Sequence, residues 1–166
     1  MHKKWLLLGL AALMSSACNF NLFVNNSTAT PTSSAVVADP TATPDPLQEV
    51  ATHVEEFGTH LQLVSVLAPD AAAQIEAEYA AFVSPELLEA WMADPASAPG
   101  RVTSSPWPDR IEVTEVTQED FDSFHVEAEL VEATNDDSEV ARYALLIQVE
   151  RIDDAYVIIA FTQLES

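Results

Sequence analysis

Cysteine is nearly missing: Cys18 is the one thiol in 166 residues. Whatever folds after it has no disulfide framework, no thiolate metal site and no cysteine nucleophile. Lysine stops at Lys4, so the remaining basic residues are Arg101, Arg110, Arg142 and Arg151, set against 27 Asp and Glu that all follow residue 38. A surface that negative repels phosphates, which excludes nucleic acid as a partner. Glycine is confined to Gly9, Gly58 and Gly100. A phosphate-cradling loop, a dinucleotide fingerprint and a Gly-X-Ser-X-Gly nucleophile elbow are therefore all excluded. The apolar run Trp5–Met14 is too short to span a bilayer. The acidity reads as a solubility device, suited to a salty habitat where counterions screen self-repulsion, ahead of a recognition face for cations or basic partners.

The front of the chain has Lys3-Lys4, the apolar run, and the small residues Ser15-Ser16-Ala17 before Cys18. This is the shape of an export signal that is removed and takes no part in the fold. Ser15-Ser16-Ala17-Cys18 resembles the lipobox of bacterial lipoproteins. The resemblance implies that residues 1–17 are a signal peptide, and that Cys18 becomes the first residue and is diacylated with chains of the palmitate kind. It also implies a membrane partner through that anchor and an extracytoplasmic domain at the cell membrane or outer envelope. Residues 18–46 hold this cysteine and a tether rich in Ser, Thr and Pro, with Thr-Ala-Thr-Pro occurring twice. Such composition buries too little apolar area to offset the entropy of ordering it. Its reach lies between about 30 Å as a coil and about 85 Å as an extended arm.

Residues 47–166 are long enough for one acidic domain with one core. Leu47, Val50, Val54, Phe57, Leu61, Val64 and Ala68 recur at alternating spacings of three and four, predicting one long amphipathic helix capped by Asp45-Pro46. A second helix is expected from Ala71 to Phe82, and a third opens at Ser84-Pro85 with Leu87, Leu88 and Trp91 on its apolar side. After Gly100 the period changes to two. Strands are expected over Ile111–Thr117, around Phe124–Leu130, over Tyr143–Glu150 and over Tyr156–Leu164. Turn chemistry at Thr134–Ser138 and Ile152–Ala155 makes them an antiparallel meander. Helices first and strands afterwards imply an α+β fold, with three N-terminal helices on an antiparallel sheet of four strands or more. That order, with the closing Asp154-Ala155-Tyr156-Val157-Ile158, resembles the nuclear-transport-factor-two-like superfamily. The resemblance implies a curved sheet wrapping the helices into a cone, in a group that includes isomerases, dehydratases, transport factors and lipoproteins.

The densest segment is Gly100–Val113, with Arg101, Trp107, Asp109 and Arg110 as candidate ligand-binding residues. Arginine's planar fork suits a carboxylate or phosphate, and a neighbouring indole can stack on a ligand. The structural alternative has Trp107 plugging the helix–sheet junction while both arginines pair with the surplus carboxylates, and that surplus weighs in its favour. His53, Glu56 and His60 share one helix side, which reads as a solvated face rather than a metal site. His125 alternates outward. Tyr79, Tyr143, Tyr156, Asp122 and His125 are the residue types of acid/base enzymes, but no spacing gathers them into one site. The chain thus reads as a membrane-anchored lipoprotein that binds a small molecule or envelope partner without catalysis, cofactor or metal. Acid/base isomerase or dehydratase chemistry and a structural or adhesive envelope role are the alternatives.

The lipobox reading has a direct check. Native mass spectrometry of protein recovered from its own membrane should give a chain beginning at Cys18 with added lipid mass. Cys18→Ser should abolish both the lipid and the membrane fractionation, whereas an intact leader with an unmodified sulfur on the native protein contradicts the reading.

Overall fold

The structure, a computed structural model, describes residues 45–164. The expected signal peptide, Cys18 and the expected tether up to residue 44 lie outside these residues. Helix α1 spans Pro46–His60. Asp45 Oδ1 accepts a hydrogen bond from the Leu47 amide at 3.1 Å and Pro46 occupies the first turn, where its missing N–H costs nothing. Val50, Val54 and Phe57 are fully buried. The stripe continues to Leu61 and Val64, but the helix does not. A 3₁₀ turn over Leu61–Leu63 ends it, and Val64 is extended. Val64 and Val66 bury their side chains on one side of a short extended segment, which hydrogen-bonds through the Arg101 amide to Val64 O at 2.8 Å and the Val66 amide to Arg101 O at 3.1 Å. Val64 fits the helical stripe, but Val64 and Val66, two residues apart, share one face only in an extended chain, which the β-branched pair also favours.

Helix α2 is Ala71–Tyr79, shorter than expected by three residues. The chain leaves it to pair with the last strand: the Ile158 amide donates to Phe82 O at 2.8 Å and the Ser84 amide to Ile158 O at 2.9 Å. Helix α3, Pro85–Ala93, starts as its sequence requires, with Ser84 Oγ accepting from the Leu87 amide at 3.2 Å. Strands β1 (Trp107–Gln118), β2 (Ser123–Ala133), β3 (Glu139–Ile152) and β4 (Ala155–Gln163) form one antiparallel sheet in that order. β1 begins at Trp107 rather than Ile111, with an irregularity between Pro108 and Arg110. Three helices thus pack against a four-stranded antiparallel sheet.

The core lies between α1 and one sheet face, where Ile111, Leu130 and Tyr143 align across three strands, as do Val113, Ala128 and Leu145. Phe57 is its hub. Its ring meets Tyr79 edge-on at 5.0 Å, stacks on Trp91 at 6.3 Å and meets Phe161 edge-on at 6.1 Å. The tryptophan that fills the helix–sheet junction is therefore Trp91, 5% exposed, while Trp107 is half-buried at the start of β1. Gly58 lets α1 close on β1: a Cβ there would stand 2.5 Å from the Ile111 amide nitrogen. Among the described residues no helix is long and apolar enough to cross a membrane.

Gly58→Ala sets two effects against each other. Helix propensity favours alanine by about 1 kcal/mol, whereas forcing a methyl group against a packed backbone costs about 1–3 kcal/mol. The contact is with main chain that cannot swing aside, so the variant should be net destabilised in urea denaturation. A midpoint equal to or above wild type would show that α1 does not approach β1 this closely.

Candidate functional site

The structure separates the four candidate residues into two places. Arg110 and Asp109 belong to an ion-pair lattice on the outer sheet face. Arg110 Nη1 donates to Asp109 Oδ2 at 2.7 Å, its Nε donates to Glu112 Oε1 at 2.8 Å, and Nη2 also reaches Glu139. Arg142 donates to Glu112 at 2.5 Å, to Glu129 at 2.9 Å and to Glu139 at 2.8 Å. Glu112 and Glu139 each bridge both arginines. Hydrogen bonds from Arg142 first, then from Arg110, hold both carboxyls below their ordinary range, and the same contacts raise the two guanidinium groups. Val131 sits between Arg110 and Arg142 in register and is fully buried on this face, an arrangement suited to cover by arginine stems. Arg151 is also engaged: its Nε donates to Asp122 Oδ1 at 3.0 Å and its guanidinium carbon lies 4.7 Å from the Phe121 ring centre.

Arg101 differs. Its main chain is clamped to Val64 and Val66, and Gly100 before it has φ +156° with room for no side chain, since a Cβ would lie 2.8 Å from Val66 Cγ1. Tyr79 Oη donates to Pro99 O at 2.6 Å and ties the same loop to the core. Among the described residues the Arg101 guanidinium makes no ion pair, and its Nε is buried with no hydrogen-bond partner. It lines a cleft of about 260 Å³ with Gln62, Ser104, Trp107 and Asn135. No carboxylate lines this cleft. Arg101 and Trp107 are therefore brought together, and Asp109 and Arg110 are placed elsewhere. Gln62 and Asn135 had no signal in the sequence, because they come from a 3₁₀ turn and a hairpin loop remote from the Gly100–Val113 segment.

Two further cavities flank the helices and sheet. One, of about 400 Å³, opens beside Pro99, Gly100 and Pro108, with Leu130, Phe161, Tyr143, Glu132 and Gln163 on its walls. Loop residues 100–108 thus contribute to two clefts. The other, of about 430 Å³, lies between α1 and the β3–β4 turn and is lined by Glu49, His53, Glu56, Asp154 and Tyr156. Here the expectation of a solvated histidine face is corrected. His53 Nε2 hydrogen-bonds Phe82 O at 3.1 Å, His60 Nδ1 bonds Glu78 Oε2 at 2.9 Å, and the Phe82 ring packs on both imidazoles, at 5.5 and 4.8 Å. Phe82 has left helix geometry and lies against α1, which covers a side the heptad spacing alone would leave open. Among the described residues no group of three or more His, Cys, Asp or Glu could hold a metal ion.

The residue types of an acid/base enzyme are dispersed. Tyr79 is in the core, where burial raises its pKa. Tyr156 Oη donates to Glu49 Oε2 at 3.1 Å, Asp122 is paired with Arg151, and His125 stands exposed beside Glu119 and Gln148. Tyr143 alone of the five lines the 400 Å³ cleft.

No protein-family model, curated protein or solved structure matches the chain. The chemistry of the cleft is consequently the guide to function.

Burial of His53 lowers its pKa from 6.5, outweighing the opposing effects of Phe82 O and Glu56. The unfolded chain then binds the proton first, so the contribution to stability is complete above 6.5 and is lost as pH falls through the folded value. Glu112 and Glu139 act lower, with stability lost below 4.5. Urea midpoints measured from pH 7.5 to 5 should decline, and His53→Gln should flatten that decline while leaving the acid limb. An unchanged slope in the variant would refute a neutral, buried His53.

Proposed function

We propose that the chain is a bacterial lipoprotein whose domain binds a small anionic ligand, without catalysis, in the Arg101–Trp107 cleft. In this reading Cys18 carries the lipid, residues 18–46 form the tether, and the domain stands outside the membrane. The helix, helix, helix, strand-meander order supports a nuclear-transport-factor-two-like fold. One observation carries the ligand reading. The chain from Cys18 onward has four arginines, and three of them bind carboxylates within the domain. Arg101 has no such partner among the described residues and lines a cleft free of acid. With 27 carboxylates to choose from, structural pairing is the default fate of an arginine here. A guanidinium held away from them by a rigid loop is available to an external anion.

A cone-fold acid/base enzyme draws less support, because its candidate groups lie apart. A membrane-bound partner protein remains compatible with the anchor but has no comparable feature behind it.

Arg101→Gln tests the reading. Protein purified from its own membrane in mild detergent and analysed by native mass spectrometry should carry a small anion in the wild type and none in the variant. Melting temperatures should agree within about 2 °C, since the Arg101 side chain makes no ion pair or hydrogen bond among the described residues that the change would remove. A variant that melts several degrees lower, with no anion lost from either protein, would assign Arg101 a structural role instead.

A further inference from the structure

We infer that the Arg101 cleft selects a small monocarboxylate bearing one flat aromatic ring. This rests on the anion-binding reading above and adds the ligand's class. Charge number comes first. One guanidinium is the cleft's only cation, and the other lining groups, Gln62, Ser104 and Asn135, are neutral donors and acceptors. A second negative charge on the ligand would gain no partner there, while the field of 27 carboxylates would oppose it. A carboxylate also matches the planar fork of arginine with two parallel hydrogen bonds.

Trp107 defines the body of the ligand. Among the described residues its indole stacks on no other aromatic ring, and no guanidinium lies over it, whereas Phe57, Tyr79, Trp91 and Phe161 are engaged with one another. A half-buried indole without an aromatic partner offers a flat apolar wall beside the charge. Size completes the description. At about 260 Å³ the cleft falls just under the usual range for ligand pockets, roughly 300–1,000 Å³, so it suits a single ring with its carboxylate and not a fused or extended ligand. Neutral amides at Gln62 and Asn135 can receive a ring hydroxyl or amino substituent.

Four probes separate these requirements by calorimetry on the full chain in mild detergent at low salt: benzoate, cyclohexanecarboxylate, benzamide and inorganic phosphate. Benzoate should bind most tightly and cyclohexanecarboxylate about two- to tenfold more weakly, the range expected from loss of an aromatic pair. Benzamide and phosphate should give no measurable heat. Arg101→Gln should abolish benzoate binding, and Trp107→Leu should bring the two carboxylates to parity. Melting curves confirm that each variant is folded, and Trp107→Phe, which keeps a ring, should retain the preference. Phosphate binding as tightly as benzoate, or wild-type protein that treats both carboxylates alike, overturns the ligand class while leaving an Arg101-dependent anion site standing. If no probe binds in an Arg101-dependent way, the class is overturned. Loss of the copurified anion in Arg101→Gln then still decides the anion-binding reading separately.

Discussion

Scarcity of positive charge governs this domain. Of the chain's 27 Asp and Glu all but Asp39 and Asp45 fall in residues 47–166, where they share four arginines, so each guanidinium is a contested resource and its position is informative. Arg110 and Arg142 are spent together on the outer sheet face, where Glu112 and Glu139 each span both of them. Isolated exposed pairs contribute little, but shared carboxylates in a network spread the entropic cost of ordering the side chains. Without these contacts Glu112 and Glu129, neighbours across β1 and β2, would face one another as like charges. Arg151 fastens the turn before β2 to the end of β3 through Asp122 and the Phe121 ring. Arg101 is the exception, and its surroundings explain how the exception is maintained.

That maintenance is a property of the core. The loop bearing Arg101 is held on one side by paired hydrogen bonds to the Val64–Val66 segment and on another by the Tyr79 hydroxyl. Gly100 allows the backbone to lie directly on Val66. Val64, Val66 and Tyr79 are buried with Phe57 and Trp91 in one continuous apolar cluster. Arg101 is thereby positioned by packing, and its cleft is walled by groups without charge.

Much of the architecture was readable from residue order. Asp45-Pro46 and Ser84-Pro85 mark helix starts whose chemistry is local, and both caps form as expected. Alternation in Phe124–Leu130 and Tyr143–Val149 places the same residues on the core face. The misreadings share a cause: long-range pairing overrode local periodicity. Val64 left the helical pattern to meet Arg101, and Phe82 left the expected second helix to meet Ile158. Of the candidate residues in Gly100–Val113, Arg101 and Trp107 line one cleft. Whether each arginine pairs depends on strand register, which brought Arg110 beside Glu139 and left Arg101 outside the sheet. Trp91 is buried as its place on the apolar side of α3 predicts, but that it rather than Trp107 fills the helix–sheet junction depends on packing against Phe57, a tertiary quantity.

These elements describe a domain whose packing holds one unpaired guanidinium, with its Nε buried, apart from the carboxylates around it. Arginine side-chain NMR of the ligand-free protein probes the central asymmetry most directly. As pH is lowered through the carboxylate range, the Nε–H signals of Arg110, Arg142 and Arg151 should shift as their partners protonate, and that of Arg101 should not. A fourth signal that titrates with the other three would mean that Arg101 already has a carboxylate of its own, and would contradict the account.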